Sequence, residues 1–246
     1  MTLTRHTRVT KPPYPATMDQ MKRFAIFYAP RPGPFAEATA ALLGWDSASA
    51  RPAPQPDLPG LPMPLAGLTT DPRKYGFHGT LRAPFRPADG LGADDVADAV
   101  RTLSRQLSPA TCDGLSVQNL HGFVALTPMG DTSALNTLAA QVVRATNPLR
   151  APMTGAERAR RRPESLSPRQ LALLDTWGYP HVMEDFHFHL TLTNMLPADH
   201  AAQTAPVLSA HLAPVLPKPF AIEDLCLFCE DADGRFHLLH RFPLSG

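Results

Sequence analysis

Two short stretches of this chain repeat one pattern of side chains, His78-Gly79-Thr80-Leu81 and His189-Leu190-Thr191-Leu192. Imidazole is the side chain that exchanges a proton near neutral pH, and a threonine hydroxyl can donate to a phosphate oxygen. Residues two apart on a strand point to one side. His78 and Thr80 therefore share a face, which Arg82 extends. His189 and Thr191 share another, with His187 and Thr193 in line. Two such pairs across a cleft suit cleavage of a phosphodiester. One neutral imidazole takes a proton from water, one imidazolium gives a proton to the leaving oxygen, and the hydroxyls steady the non-bridging oxygens. This chemistry calls for no metal and no cofactor. A lone His-x-Thr means little; two copies in matching surroundings carry the weight. Phosphate binding alone could use arginine or backbone amides, so retention of both histidines favours catalysis.

Other residues are candidates of lower specificity. Tyr75 stands at the entrance to the first motif, where substrate contact and packing are equally good readings. Trp177 and Tyr179 can stack on a base or sugar, although large aromatics beside Pro180 more often fill a core. Arg73 and Lys74 can supply charge to a phosphate, or sit solvated on a loop. The run from Arg158 to Arg162 is either a solvated face or an anion-binding edge for a second phosphate. His187-Phe188-His189 is an H-x-H strand, which raises a rival enzyme: a metal-dependent hydrolase with His187, His189 and Asp185 or Glu184 as ligands. That rival leaves His78 and Thr80 unexplained. A rival of another class is a nucleotide- or RNA-end-binding module without turnover.

The elements that must hold these residues also come in two sets. Phe24–Ala29 is an apolar run that reads as a strand, and Phe35–Leu43 as a helix. The first motif lies in an alternating strand over Phe77–Phe85. Asp94–Leu107 follows as an amphipathic helix, then a hairpin turning at His121-Gly122. The second motif lies in Phe186–Thr193, which alternates strictly. After it come a helix over about His200–His211 and a hairpin turning at Asp231–Gly234. Motif and turn are almost equally spaced in the two sets, which predicts a duplicated unit. Between them run helices over Ala134–Thr146 and Ser167–Trp177, the latter with Pro168 in its first turn. The fold is expected to be α+β: two pseudo-symmetric lobes of antiparallel sheet, flanked by helices, around a central cleft. Residues 21–246 form one bilobal domain, with lobe one about 22–130, connecting helices about 131–183 and lobe two about 184–246.

Composition agrees with this and excludes several classes. The chain has 246 residues, 43% hydrophobic content and a formal net charge of +1. It lacks the basic excess of a protein that coats nucleic acid, so no DNA partner is expected. A small anionic substrate needs only a local cationic pocket. Three cysteines are too few for a disulfide framework. Cys226 and Cys229 read as small core residues of a strand. No apolar run is long enough to cross a membrane and the N-terminus has no signal-like apolar stretch, so the expected compartment is the cytoplasm. Residues 1–20 read as a flexible tail, or as sequence upstream of a start at Met18 or Met21. Twenty-eight prolines cluster in part over Pro52–Pro64; the segment Arg51–Thr70 reads as a loop that could wall or cover a site.

The two motifs resemble those of the two-histidine phosphoesterase superfamily, which includes RNA 2′-5′ ligase-like proteins and cyclic nucleotide phosphodiesterases. The surroundings are similar to a branch associated with phosphonate metabolism and encoded beside carbon–phosphorus lyase genes. The stretches that carry this resemblance are Tyr75-Gly76-Phe77-His78-Gly79-Thr80-Leu81-Arg82-Ala83-Pro84-Phe85 and Trp177-Gly178-Tyr179-Pro180, leading to Phe188–Thr193. Gly79 stands where alanine is expected, which should loosen the strand slightly, and Arg82 where lysine is usual. The resemblance implies His78 and His189 as catalytic residues and Thr80 and Thr191 as phosphate ligands. It implies a small phosphorylated partner, a cyclic ribose phosphate or nucleotide, with RNA ends as a further candidate, and a place in phosphonate breakdown.

Overall fold

The computed structural model describes residues 21–246; the predicted tail over 1–20 lies outside the described residues. The class is α+β. The first half of the chain holds strands β1 (Arg23–Tyr28), β2 (Trp45–Asp46), β3 (Arg51–Pro52) and β4 (Gly79–Phe85), and helices α1 (Pro34–Leu43), α2 (Leu65–Leu68) and α3 (Pro72–Tyr75). It continues with α4 (Ala93–Ser104), β5 (Ala110–Cys112), β6 (Gly114–Leu120) and β7 (Phe123–Met129). Helices α5 (Ser133–Thr146), α6 (Gly155–Ala159) and α7 (Pro168–Trp177) connect to β8 (Leu190–Thr191), α8 (Ala198–Leu212), β9 (Phe220–Ile222), β10 (Asp224–Glu230) and β11 (Phe236–Pro243).

Seven strands form a continuous antiparallel sheet in the order β11-β10-β1-β4-β8-β7-β6. The two motif strands meet in its middle, with Gly79 opposite Leu190. An antiparallel pair carries a local two-fold axis, and β5 with β9, the equivalent elements of the repeat, form a second such pair. The hairpins are exchanged between halves. Hairpin β6–β7, from the first half, pairs with β8, while β10–β11, from the second, pairs with β1 beside β4. The helices follow suit: α4 packs on β10 and β11, and α8 on β6 and β7.

The sheet has two unlike faces. Phe24, Ile26 and Tyr28 of β1 join Leu225, Leu227 and Cys229 of β10 in the main core beneath the helices. Ala25, Phe27 and Ala29 join Cys226, Phe228 and Phe236 in a smaller cluster on the opposite face. That division is why the β1 run is apolar at every position: it is covered on both sides. Cys226 and Cys229 are buried core residues, as read from the sequence.

Two expectations are corrected. The second motif strand, read as Phe186–Thr193, is regular only over Leu190–Thr191. The backbone bends away after it, and Leu192 and Thr193 both direct their N–H to the Val124 carbonyl, while Thr193 Oγ1 accepts from Val124 N at 2.9 Å. A side chain thus replaces a rung of the ladder. The proline-rich segment Arg51–Thr70 forms no cover over the site. Gln55 Nε2 ties it to the Leu42 carbonyl of α1 and Gln203 of α8 ties down the Gly60 carbonyl, so it packs on the helix side.

Candidate active site

The register at Gly79 and Leu190 fixes the geometry of the four motif residues. Carried one residue either way, it sets His78 opposite Thr191 and Thr80 opposite His189. Opposite residues share a face, and neighbours on a diagonal lie roughly 7–8 Å apart at the backbone. The two imidazoles therefore occupy one diagonal of a four-residue patch and the two hydroxyls the other. The patch lies on the face away from the helices, since Thr80 pairs with Phe27 of the smaller cluster.

Both rings are held alike. His78 Nδ1 lies 2.9 Å from the Gly76 carbonyl oxygen, and His189 Nδ1 lies 2.9 Å from the His187 carbonyl oxygen. A carbonyl only accepts, so Nδ1–H is the donor in each, and Nε2 is left for other partners. Each anchor is the carbonyl two residues earlier, so the repeat extends to the tautomer. Gly76 has φ 71°, a conformation that suits glycine, and a Cβ there would come within 2.6 Å of Ser47 Cβ.

The two rings differ in surroundings. His78 is stacked by Tyr75 at 5.6 Å and packs on Phe27 at 4.1 Å. Burial among these rings pushes its pKa down to about 4; the Gly76 contact opposes this and the neighbouring His189 adds to it. His78 is thus neutral at neutral pH. His189 has Phe123 beside it at 5.5 Å. His78, Thr80 and Thr191 line a cavity of about 350 Å³, and His189 lines an adjoining one of about 360 Å³. Thr80, Ala83, Phe123 and Tyr179 border both, so the histidines open onto one continuous cleft.

The remaining candidates divide. Tyr75 and Tyr179 line the cleft, and His187 lines its second part. Tyr75 ends helix α3, just before the first motif strand. Thr193 borders the cleft, but it is 1% exposed and its hydroxyl is committed to Val124 N and the Asn194 carbonyl. Trp177 borders neither part; it packs with Val143, Leu173 and Val182.

Arg82 is a correction. It pairs with Ile26, on the helix side, because a register shift between Phe27 and Ile26 places one extra residue of β4 between Thr80 and Arg82. Such a bulge turns the following side chain to the other face. Arg82 is 1% exposed, donates to the Trp177 carbonyl at 2.9 Å and to Asn147 Oδ1 at 3.3 Å, and lies over Phe85. Burial, with Arg150 adding to it, brings its pKa down to about 10. Arg82→Ala should cost about 1–3 kcal/mol of stability, through two acceptors left unpaired. Thermal unfolding checks this; an unchanged melting point with a raised KM would return Arg82 to the substrate.

Arg73 is also structural, donating to Leu43 O, Ala66 O and Thr69 Oγ1, and Lys74 pairs with Asp71. The carboxylates considered as metal ligands are engaged elsewhere, Asp185 by His181 at 2.8 Å and Gln170 at 3.0 Å, and Glu184 by Arg169. Among the described residues no group of three or more His, Cys, Asp or Glu is disposed to hold a metal ion. Also among them, no helix is long and apolar enough to cross a membrane. Phe27, Phe123 and His181 line the cleft without having been singled out for it, and Arg161 lines it from the run read as a solvated face or an anion-binding edge. Of these, only Arg161 carried any signal in the sequence.

Comparison with known proteins identifies the relatives. A protein of Janthinobacterium sp. (strain Marseille) named ribose 1,5-bisphosphate phosphokinase PhnN is 36% identical over 235 residues, covering 93% of this chain and 52% of that protein. One of the same name from Laribacter hongkongensis (strain HLHK9) is 34% identical over 223 residues, covering 86% and 49%. The chain thus spans about half the length of these curated relatives. The crystal structure of Escherichia coli LigT complexed with NADP+ aligns with 92% of this chain and 99% of its own, at 16% identity and a TM-score of 0.44. Residues 80–237, which include Thr80, His189 and Thr191, match the family described as "Protein of unknown function (DUF1045)". With that match running through β4, the connecting helices and β8, the chain belongs to the DUF1045 family.

Proposed function

We propose that this protein is a phosphoesterase that opens a cyclic phosphodiester of a ribose or nucleotide by paired-histidine acid–base catalysis. The observation that carries the reading is the crossed patch: two imidazoles on one diagonal, two hydroxyls on the other, both rings anchored through Nδ1. In-line displacement at phosphorus needs the attacking and leaving oxygens on opposite sides, and opposite corners of the patch meet that need. Neutral His78 takes a proton from water through Nε2 as the oxygen attacks phosphorus. The P–O bond to one ring oxygen breaks, and His189, as imidazolium, protonates that oxygen. Thr80 and Thr191 donate to the non-bridging oxygens. The product is a phosphomonoester with a free hydroxyl, and solvent exchange resets the two protons.

The relatives' name concerns a ribose bisphosphate, which supports a ribose phosphate; a role in phosphonate breakdown rests on the resemblance of the motif surroundings. None of Lys11, Lys22, Lys74 and Lys218 follows a glycine, so the chain lacks the Gly-Lys pair of a phosphate-cradling P-loop. A kinase reading therefore has no such motif to rest on here.

The deciding experiment is a turnover screen of nucleoside 2′,3′-cyclic phosphates and ribose 1,2-cyclic phosphate with EDTA present. Ring opening to a monoester is expected. Absence of turnover on all of them, or turnover that needs added metal, would overturn the proposal. The pH dependence follows from His78. Below about pH 4 the base is protonated, so kcat/KM should fall as pH drops through that value. It should fall again at high pH as the acid loses its proton. A rate flat from about pH 3 to 9 contradicts the pairing.

A further inference from the structure

The cleft continues past Tyr75 into a third cavity, of about 240 Å³, lined by Arg23, Arg86, Arg150, Arg160, Arg161 and a single carboxylate, Glu157. Tyr75, Pro84 and Arg161 border both this cavity and the one that holds His78. The charges are not balanced within it. Glu157 is spent on Arg86, at 2.8 Å, and on the Thr154 backbone N–H. Arg23 is spent on Glu230. Among the described residues, Arg150, Arg160 and Arg161 have no carboxylate within ion-pair distance.

These three guanidinium groups are held differently. Arg150 donates to the Ala151 carbonyl at 3.2 Å and reaches Asn147 Oδ1. Burial lowers its pKa, so its charge is incompletely compensated. Arg161 lies over the Tyr179 ring, 4.9 Å from its centroid, which fixes it at the junction of the two cavities. Arg160 is exposed at the rim. A planar guanidinium matches the oxygens of a phosphoryl group in a bidentate way. The aromatic rings nearby do not offer a clear slot for a base. Tyr75 is stacked by both His78 and Phe236, and Tyr179 is covered by Arg161 and met edge-on by His181.

We infer that this arginine-lined cavity is a subsite for a second phosphoryl group. The substrate class is then a sugar cyclic phosphodiester that also bears a terminal phosphate, in preference to a nucleoside cyclic phosphate. This rests on the phosphoesterase reading of the histidine patch. The cyclic phosphate sits at the patch and the sugar lies along Tyr75. The terminal phosphate is met by Arg161, Arg150 and Arg160.

The test compares ribose 1,5-bisphosphate with ribose 1-phosphate as binding probes by calorimetry, in the wild-type chain and in Arg160→Gln/Arg161→Gln. Neither side chain is in the core, so the variant should fold; circular dichroism and thermal unfolding verify that. The bisphosphate is expected to bind about 10- to 100-fold more tightly, the range for a charge-assisted contact, and the variant should reduce that ratio to about threefold or less. Equal affinity for the two probes, no binding of either, or a preference that survives the double substitution overturns the subsite. Turnover of ribose 1,2-cyclic phosphate with and without a 5-phosphate separates the two ideas. Cleavage of both at equal kcat/KM removes the subsite and leaves the phosphoesterase. A bisphosphate preference in binding without any cleavage keeps the subsite and removes the phosphoesterase.

Discussion

His78→Ala and His189→Ala should each lower turnover of a cyclic phosphodiester by about 10²–10⁴-fold, the usual contribution of a positioned acid or base. Both rings stand at the cleft and neither Nδ1 contact reaches another element, so the variants should keep their fold. The double variant should be little slower than the worse single one, because the two groups act in one displacement and their effects do not multiply. Product binding, measured by calorimetry, should change far less than turnover. The two losses should also differ in their pH signature. With His78 gone the acid limb near pH 4 disappears; with His189 gone it stays. Retention of more than about a tenth of wild-type kcat by either variant would remove that histidine from the chemistry.

Gly79→Ala is the second substitution expected to have a large effect, although it adds only a methyl group. A Cβ at Gly79 would lie 2.3 Å from Phe188 Cζ and 2.5 Å from Phe188 Cε2. The Phe188 ring is boxed in by Tyr28 and Phe220, so it has little room to yield. Overpacking of this kind costs about 1–3 kcal/mol. The site should suffer more than the fold, because Phe188 precedes His189 directly and its displacement moves the imidazole. A shift on the order of 1 Å at a catalytic group can cost about 10²-fold. A variant with a lowered melting point and a kcat depressed by that order is the expected result. Wild-type kcat in Gly79→Ala would show that His189 is positioned independently of Phe188. The same contact revises the sequence reading of Gly79 as a loosened strand: the missing side chain is space that the other motif fills.

The parts of this molecule that were legible in the sequence are those governed by local spacing. Apolar runs gave β1 and β10, the 3.6-residue pattern gave α4 and α5, the repeat placed α8, and the doubled His-x-Thr pattern led to the patch. Ser167 and Pro168 marked the start of α7, where Ser167 accepts from Gln170 N. What was not legible depends on partners distant in the chain. The bulge that turns Arg82 beneath the helices exists only because β4 is laid against β1. The regular strand predicted over Phe186–Thr193 gives way to two residues because Val124 captures Thr193. Within the basic run, nothing in the residue order distinguishes Arg161, which reaches the cleft, from Arg158, which pairs with Asp175. Tyr75 was open to either substrate contact or packing, and a short helix carries it onto His78.

The exchange of hairpins has a consequence for how such a molecule could arise. Each repeated unit, taken alone, brings one histidine and one threonine, and its hairpin lies in the other unit's half of the sheet. Two copies meeting about a two-fold axis would complete each other's sheets and create the four-cornered patch in the same event. The present chain is the tethered form of that meeting, and the tether frees the two corners to diverge. One ring has become enclosed by Tyr75 and Phe27 while the other stays near Phe123 at the mouth. An untethered pair of identical copies would be held to equal surroundings at both corners, and so could not assign the two rings standing acid and base duties of their own.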